Sequence, residues 1–166
     1  FSVEHQDHCE TPGEAYDDIV PVLLAIASNI GKRADELMIY DPYYCNGLVA
    51  QNLRDRGFQH VYNKNEDFYE AVKQGTTPPF DVLVTNPPYS NDHIERLFSF
   101  CSSCEKPWMV LVPNYVYTKD YYEKMLKSGV RPFYVIPPNR YEYISPAGAR
   151  GSREKKTSPF VSFWFI

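Results

Sequence analysis

The stretch Asp81-Val-Leu-Val-Thr-Asn-Pro-Pro-Tyr89 joins a short run of apolar residues to a rigid turn. A short, continuous apolar run predicts a buried strand of a parallel sheet. Pro87 and Pro88 have no backbone N–H to donate, so we expect the strand to end before them. Ligands of parallel sheets bind beyond the carboxyl ends of the strands. Residues 86–89 therefore stand where a functional site is expected.

Outward from this turn, apolar runs alternate with amphipathic stretches along the chain. The alternation predicts one α/β domain over residues 1–166, with a mostly parallel sheet and helices on both faces. No long helix separates the last two predicted strands, so we expect them to form a C-terminal antiparallel hairpin. The predicted strands are residues 37–40, 60–63, 81–85, 108–112, 133–136 and 160–166. The predicted helices that follow the first strand are residues 47–56, 66–73, 91–104 and 119–127.

The sequence Thr11-Pro-Gly-Glu14 is typical of the start of a helix. It predicts a capping box, in which the Thr11 hydroxyl and the Glu14 carboxylate both bind backbone amides. The helix is expected to continue to about Ile30 and to bend at Pro21. The chain opens with Phe1 instead of Met, which leaves open that it is a fragment of a longer protein.

Composition indicates a globular protein with an uneven distribution of charge. Hydrophobic residues make up 43% of the chain, and the net charge is −4. Residues 1–85 contain 6 Lys and Arg against 14 Asp and Glu, whereas residues 86–166 contain 11 against 7. An acidic half suits a cationic cofactor and a basic half suits a polyanion, with a chance division as the alternative.

Neither a membrane span nor a metal site is predicted. The longest apolar run, residues 19–26, is interrupted by Pro21 and is too short to cross a bilayer. With no secretory signal visible, we expect an intracellular protein, cytoplasmic or nuclear, and an organelle stays open. Cys101 and Cys104 form a single CxxC without a second pair, which favours buried thiols over a zinc or redox site.

The tetrapeptide Asn86-Pro87-Pro88-Tyr89 offers groups that suit a planar amino nitrogen. An amino group on an aromatic ring is a poor nucleophile because its lone pair is delocalised. The Asn86 side-chain oxygen and the Pro87 carbonyl can each accept one of its hydrogens, which directs the lone pair outward. Tyr89 offers a flat face on which a flipped-out base can stack. The alternative is a turn that only caps the strand.

This tetrapeptide, written [Asn/Asp]-Pro-Pro-[Tyr/Phe], is the signature of the amino-group methyltransferases of the class I, Rossmann-like superfamily. The chain resembles most closely their adenine-N6 branch. The resemblance implies a class I methyltransferase sheet, S-adenosylmethionine as the cofactor, and catalytic roles for Asn86, Pro87, Pro88 and Tyr89. Only 17 residues separate Asn63 from Asp81. The region between the second and fourth strands of that fold is therefore expected to be shortened.

Residues 39–47, Ile-Tyr-Asp-Pro-Tyr-Tyr-Cys-Asn-Gly, resemble the cofactor loop of the family, which is usually Asp-Pro-Phe-x-Gly-x-Gly. Cys45 replaces a glycine of that loop and is expected to crowd the cofactor. The resemblance implies cofactor contacts from Asp41, Tyr43 and Gly47, from Thr11 at the methionine end, from Asn63 or Asn65 at the ribose, and from Asp67 and Phe68 at the adenine. Two of these residues have an alternative role in the fold. Thr11 is then a helix cap, and Asp67 is an ordinary acidic residue at the start of a helix.

On the substrate side, residues 140–146 resemble the family segment whose aromatic ring packs against the extruded base. Tyr141 or Tyr143 takes that role by resemblance, and Tyr115 is expected to face the same cleft. A basic loop before the last strand is a predicted phosphate contact, with solvated hairpin charge as the alternative. The basic residues of this loop are Arg150, Arg153, Lys155 and Lys156.

Three functions are compatible with these patterns. The first is methylation of adenine in nucleic acid, RNA in preference to DNA, with specificity from a structured RNA, a partner or a fused domain. The second is methylation of a protein side-chain nitrogen, because the same turn occurs in enzymes that resemble the release-factor glutamine methyltransferases. The third is a non-catalytic scaffold. Two departures from the family pattern favour it: Cys45 in place of a glycine, and the absence of the acidic residue that usually ends the second strand and holds the cofactor ribose.

Overall fold

The computed structural model describes residues 10–144, 155–157 and 160–166. Within these residues the chain forms six α-helices and eight strands. The helices are α1 (Gly13–Asp17), α2 (Val20–Asn29), α3 (Leu48–Arg54), α4 (Phe68–Gln74), α5 (His93–Ser103) and α6 (Asp120–Lys127). The strands are β1 (Met38–Tyr40), β2 (His60–Tyr62), β3 (Val82–Thr85), β4 (Trp108–Pro113), β5 (Tyr134–Val135), β6 (Glu142–Ile144), β7 (Lys155–Thr157) and β8 (Ser162–Phe165).

Six strands form one mixed sheet in the order β2-β1-β3-β4-β8-β5. The first four strands along the chain pair in parallel, whereas β8 is antiparallel to both β4 and β5. The predicted α/β class and the mostly parallel sheet are confirmed, and so is the antiparallel pairing of β5 with β8. These two strands do not form a simple hairpin, because β6 and β7 lie between them and pair in a separate sheet.

The central strands are buried on both faces. Every residue of β3 and β4 is buried, as the continuous apolar runs predicted. Because side chains alternate across a strand, Val82 and Val84 pack with α1, α2 and α3, whereas Leu83 packs with α4, α5 and α6. The predicted arrangement of helices on both faces is therefore confirmed.

The N-terminal helical segment differs from the prediction. It breaks between Asp17 and Val20, ahead of Pro21, because proline lacks an N–H and fits the first turn of α2. The Ile19 carbonyl accepts from the Leu23 amide and so begins the new helix. The predicted capping box is wrong, since Pro12 is the N-cap residue of α1 and no side chain caps it.

The connection between β2 and β3 contains one helix, α4, and no strand. A short connection at this point was predicted from the 17 residues that separate Asn63 from Asp81. Cys101 is buried on α5, while Cys104 is partly exposed at the C-cap. Within the described ranges, no three His, Cys, Asp or Glu side chains converge as a metal site. The same residues include no helix with the length and apolarity needed to cross a bilayer.

Candidate active site

The sheet changes its winding direction between β1 and β3. After β1 the chain adds β2 on one side, then crosses over and adds β3 on the other side. Such a switch point leaves a crevice at the carboxyl ends of the two strands. Asp41 follows β1 and Asn86 follows β3, so two predicted site residues lie at this crevice. The Thr85 hydroxyl connects them, because it donates to Asp41 Oδ1 at 2.5 Å.

The Asn86 amide is bound at one end only. Its Nδ2 donates to Thr11 Oγ1 at 3.1 Å, across 75 positions of sequence. Its Oδ1 is buried and accepts no hydrogen bond from the residues that the structure describes. A buried acceptor without a donor costs about 1–3 kcal/mol, so an oxygen of this kind is a candidate for a ligand contact.

The two prolines continue the turn in a buried position. Pro87 and Pro88 are both buried, and their rings fix the backbone beyond Asn86. Within the described part of the chain, no backbone amide donates to the carbonyl of Pro87 outside the regular elements. The turn therefore holds two acceptor oxygens on one short segment, the Asn86 amide oxygen and the Pro87 carbonyl.

Tyr89 is held through its hydroxyl group. This hydroxyl lies 3.3 Å from the Tyr143 hydroxyl and makes a long contact of 3.5 Å to the Leu111 carbonyl. The Tyr143 hydroxyl in turn lies 2.6 Å from Ser162 Oγ. Burial raises the pKa of Tyr89 well above its usual value, so the group stays protonated. Tyr89 can therefore contribute its ring face but not a general base.

Asp41 is a buried carboxyl with neutral donors. It is 2% exposed, and it accepts from the Thr85 hydroxyl and from the Tyr43 amide, the latter at 3.1 Å. No Lys or Arg among the described residues forms an ion pair with it. Burial raises the pKa of Asp41 to about 7, and the charge of Glu10 adds to this rise against the two hydrogen bonds.

Glu10 is a site residue that sequence reasoning missed. It is 3% exposed, and its Oε1 accepts from the backbone amide of Asn46 at 2.7 Å. It thus ties the segment before α1 to the loop between β1 and α3. The available signal was an acidic residue directly before Thr11, the residue that the resemblance places at the methionine end of the cofactor. Glu10 and Asp41 make this corner strongly acidic.

The loop between β1 and α3 is shaped by Tyr43 and Gly47. Tyr43 is 6% exposed, and its hydroxyl lies 3.0 Å from that of Tyr69. Gly47 has a φ of 83° at the N-cap of α3, a left-handed conformation that favours glycine. Cys45 is partly buried, and its expected crowding of the cofactor stays a prediction.

Asn63 holds the same loop from the end of β2. Its Nδ2 donates to the carbonyls of Asp41 and Tyr43 at 3.3 and 3.4 Å. Its Oδ1 is buried and has no partner within the described ranges. Asn63 thus provides a second acceptor without a donor beside the crevice, whereas its predicted alternative, Asn65, is exposed.

Asp67 and Phe68 have clear roles in the fold. Asp67 is the N-cap residue of α4 and accepts from the amides of Tyr69 and Glu70 at 3.0 and 3.1 Å. These bonds hold its pKa below the usual range. Phe68 is 2% exposed and packs edge-on against Tyr43, with ring centroids 5.5 Å apart. Their contacts with a cofactor adenine stay a prediction.

Of the two tyrosines proposed to pack on an extruded base, Tyr143 reaches Tyr89, whereas the Tyr141 hydroxyl donates to Asp18 after α1. Both are buried among the side chains that pack with α1, α2 and α3. Tyr115 is partly buried beside Phe160, with ring centroids 5.0 Å apart.

The predicted basic loop lies mostly beyond what the structure describes. Arg150 and Arg153 fall outside the described residues. The backbones of Lys155 and Lys156 lie in β7 and pair with Ile144 and Tyr143 of β6. Phosphate contacts by these four residues stay a prediction.

Comparison of the chain with protein-family models and with curated protein sequences finds no match. The function therefore has to be inferred from the contacts at the ends of β1 and β3.

Proposed function

We propose that this chain is an S-adenosylmethionine-dependent N-methyltransferase with a Rossmann-like class I fold. Its best-supported acceptor is the exocyclic amino group of adenine in nucleic acid, RNA in preference to DNA. The observation that carries the proposal is the buried Asn86 Oδ1, which lacks a donor among the described residues. An amino group with two hydrogens to donate satisfies this oxygen.

The orientation of the Asn86 amide supports this role. Because Nδ2 is bound to Thr11, the amide is held with Oδ1 as the group left to bind a ligand. An amino nitrogen that donates to Asn86 Oδ1 and to the Pro87 carbonyl loses planarity and directs its lone pair away from both oxygens. Preorganised contacts of this kind lower a barrier without reorganisation during the reaction.

The aromatic neighbours of the turn suit a flat acceptor. Tyr89 is fixed by hydroxyl contacts to Tyr143 and Leu111, so its ring has one defined orientation. A base packed on that ring is held with its amino group near the turn, and base–aromatic stacking contributes about 1–3 kcal/mol. Adenine fits these requirements because it combines a flat ring with an amino group.

The crevice beside the turn suits the cofactor. Asp41, Tyr43, Gly47 and Asn63 line the loop after β1, and the acids Asp41 and Glu10 have no cation partner among the described residues. Acidic groups and an unpartnered amide oxygen fit a cationic ligand that also carries hydroxyl or amino donors. When bound, S-adenosylmethionine supplies an electrophilic methyl group on positively charged sulfur.

The remaining predicted cofactor residues contribute in different ways. Thr11 orients Asn86, Asp67 caps α4, and Phe68 supports Tyr43 from below the loop. These contacts favour an indirect role for Thr11 and Phe68, through the residues that they hold in place.

A nucleic acid is favoured over a protein by the charge of the second half of the chain. Residues 86–166 contain 11 Lys and Arg against 7 Asp and Glu. A polyanion is attracted to such a surface, and its phosphates position it without reading sequence. A specificity partner or a fused domain is compatible with this arrangement.

Transfer of a labelled methyl group tests the proposal. The chain is incubated with methyl-labelled S-adenosylmethionine and total RNA, DNA or protein, and the products are digested to nucleosides and peptides. We expect label in RNA as N6-methyladenosine, and labelling on the order of a hundredfold slower with Asn86→Ala, because the variant lacks the amide oxygen. Calorimetric titration of the cofactor separates an enzyme from a non-catalytic scaffold.

Three outcomes contradict parts of the proposal. Label confined to a protein side-chain nitrogen would exclude adenine as the acceptor while retaining the amino-group mechanism. Equal labelling by the wild type and Asn86→Ala would exclude the role of the turn. Absence of cofactor binding would exclude the methyltransferase assignment as a whole.

A further inference from the structure

Asp41 is surrounded by hydroxyls, amides and other acids. The Thr85 hydroxyl on β3 and the Tyr43 amide donate to it. Among the described residues, the titratable groups that face it are Glu10 before α1, Tyr16 on α1 and Tyr40 on its own strand. None of these groups carries a positive charge.

The polar atoms next to Asp41 are also acceptors. Asn63, whose Nδ2 binds the Asp41 carbonyl, has a buried Oδ1 without a donor in the described part of the chain. The same is true of Asn86, which directly follows Thr85. The crevice thus holds a carboxyl group whose ionised form lacks a compensating charge in the ligand-free fold. The ionised form of such a buried group is disfavoured, and a cation that binds beside it favours ionisation.

Building on the function proposed above, we infer that Asp41 exchanges one proton as the charge of the bound cofactor changes. Asp41 is a carboxylate beside the positively charged sulfonium form. It is a carboxylic acid beside the neutral thioether form, from which the methyl group has been lost. The summed charge of Asp41 and the ligand sulfur is then zero in both states.

The inference rests on the difference in free energy between burying one charge alone and burying two opposite charges together. An isolated buried carboxylate is costly, and a nearby opposite charge removes much of that cost. Burial raises the pKa of Asp41 to about 7, which places the exchange close to neutral pH. The sulfonium form therefore binds more tightly as the pH rises through 7, and the thioether form does not. Alkaline pH thus favours the cofactor over its product.

Proton counting by calorimetry tests this inference. S-adenosylmethionine and S-adenosylhomocysteine are titrated into the wild type at pH 6 and pH 8, in buffers of different ionisation enthalpy. With a pKa of about 7, Asp41 is about nine-tenths protonated at pH 6, so the sulfonium ligand should release close to one proton there. Its affinity should rise about tenfold from pH 6 to pH 8. The thioether ligand should release no proton at pH 6 through Asp41.

Two controls distinguish proton release by Asp41 from proton release by the amino groups of the ligands. Asp41→Asn keeps the shape of the side chain but cannot titrate, so the difference between the two ligands should disappear. Asp55→Asn removes an exposed carboxylate and should behave as the wild type. If Asp41→Asn does not fold, 5′-methylthioadenosine and its S-methyl sulfonium give the same comparison on the wild type, since neither has an amino acid part.

The results separate this inference from the proposed function. Equal proton counts for the charged and neutral ligands, or an unchanged difference in Asp41→Asn, would overturn the inference while cofactor binding still stands. Failure of both ligands to bind the wild type at either pH would overturn the proposed function, and the proton exchange with it.

Discussion

Asp41 and Asp81 are aspartates beside neighbouring strands, but they lie at opposite ends of the sheet. At the amino end, Asp81 accepts from Lys32 Nζ at 2.6 Å and from the Met38 amide at 2.8 Å. Burial alone would raise the pKa of Asp81, but these two bonds outweigh it and lower the pKa. At the carboxyl end, Asp41 has two neutral donors, and burial raises its pKa to about 7.

The difference shows how one fold uses the same side chain for two purposes. Where the chain supplies a cation, as Lys32 does for Asp81, the acid is satisfied internally and stabilises the fold. Where none of the described residues supplies a cation, as at Asp41, the acid costs stability, and by our proposal a ligand satisfies it. Sites of binding and catalysis are commonly built from such unsatisfied groups.

The largest effect is expected from Asp41→Asn, which should stabilise the protein at pH 8. The pKa of Asp41 is about 7 in the fold and about 3.8 otherwise, so the folded state holds its proton over a range in which the unfolded state releases it. Wild-type stability therefore falls as the pH rises from about 4 to 7. The variant should gain on the order of 4 kcal/mol in free energy of unfolding at pH 8 and nothing below pH 4.

Denaturant unfolding of both proteins across this pH range provides the measurement. Asp55→Asn is the matched control, since it makes the same substitution at an exposed position. A destabilised Asp41→Asn at pH 8 would mean that the carboxylate is satisfied in the fold, and the contrast with Asp81 would be lost.

Asn86→Ala should lower activity and leave stability nearly unchanged. The variant loses the bond to Thr11 but also removes a buried oxygen without a donor, and these changes of about 1 kcal/mol oppose each other. Turnover should fall on the order of a hundredfold, as when one preorganised polar contact is removed. Steady-state kinetics and cofactor titration measure the two effects, with Asn29→Ala on the exposed face of α2 as the control.

Asp81→Asn tests the amino end, where stability and not activity should change. Loss of the partly buried pair with Lys32 should lower the free energy of unfolding by about 1 kcal/mol at neutral pH. Because the pKa of Asp81 is lowered in the fold, this contribution is fully present above about pH 4. It is lost as the pH falls through the lowered value.

Thermal or denaturant unfolding at pH 7 and pH 3 measures whether the stability contributed by Asp81 is lost at low pH. Asp35→Asn removes a partner of Arg33 whose side chain is 46% exposed, and it should leave stability unchanged. If Asp81→Asn lost turnover without losing stability, Asp81 would serve activity and not the stability of the fold. That result would contradict the different roles assigned to the two ends of the sheet.

The smallest effect is expected from Tyr143→Phe. The substitution removes the hydroxyl contacts to Tyr89 and Ser162 but leaves the buried ring in place. We expect kcat/KM to fall about threefold, through KM, because Tyr89 loses one of the contacts that orient its ring. Tyr117→Phe, at a largely exposed position, is the kinetic control. An unchanged KM would show that the Tyr143 hydroxyl is not needed to hold Tyr89.

The fold was largely readable from the sequence because its signals are local. The six strands of the main sheet and the helices between them coincide with apolar runs and helical periodicity, within a few residues at each end. The position of residues 86–89 at the end of a buried strand followed from the same pattern. Pairing of β6 with β7 was missed, because neither segment has the apolar alternation that marks a strand.

The candidate site was predicted less completely because its contacts are distant in sequence. Thr11 carries the local signature of a helix cap, yet its hydroxyl binds Asn86, 75 positions away. Local patterns predict local hydrogen bonds, and they cannot report a competing partner from another strand. Asn63 Oδ1 lacks a donor among the described residues, and Glu10 is buried, because of contacts between segments that are distant in sequence.

The position of β8 has a consequence for the order in which the protein folds. Its residues lie between β4 and β5, and the Trp164 indole nitrogen also donates to the Ala15 carbonyl of α1 at 2.9 Å. During synthesis, β5 therefore emerges from the ribosome before the strand that must separate it from β4. Contacts of this sequence separation form late, because the chain has to close a long loop first. Until β8 arrives, the edge of β4 is open to mispairing, and this interval is when a chaperone would be most useful.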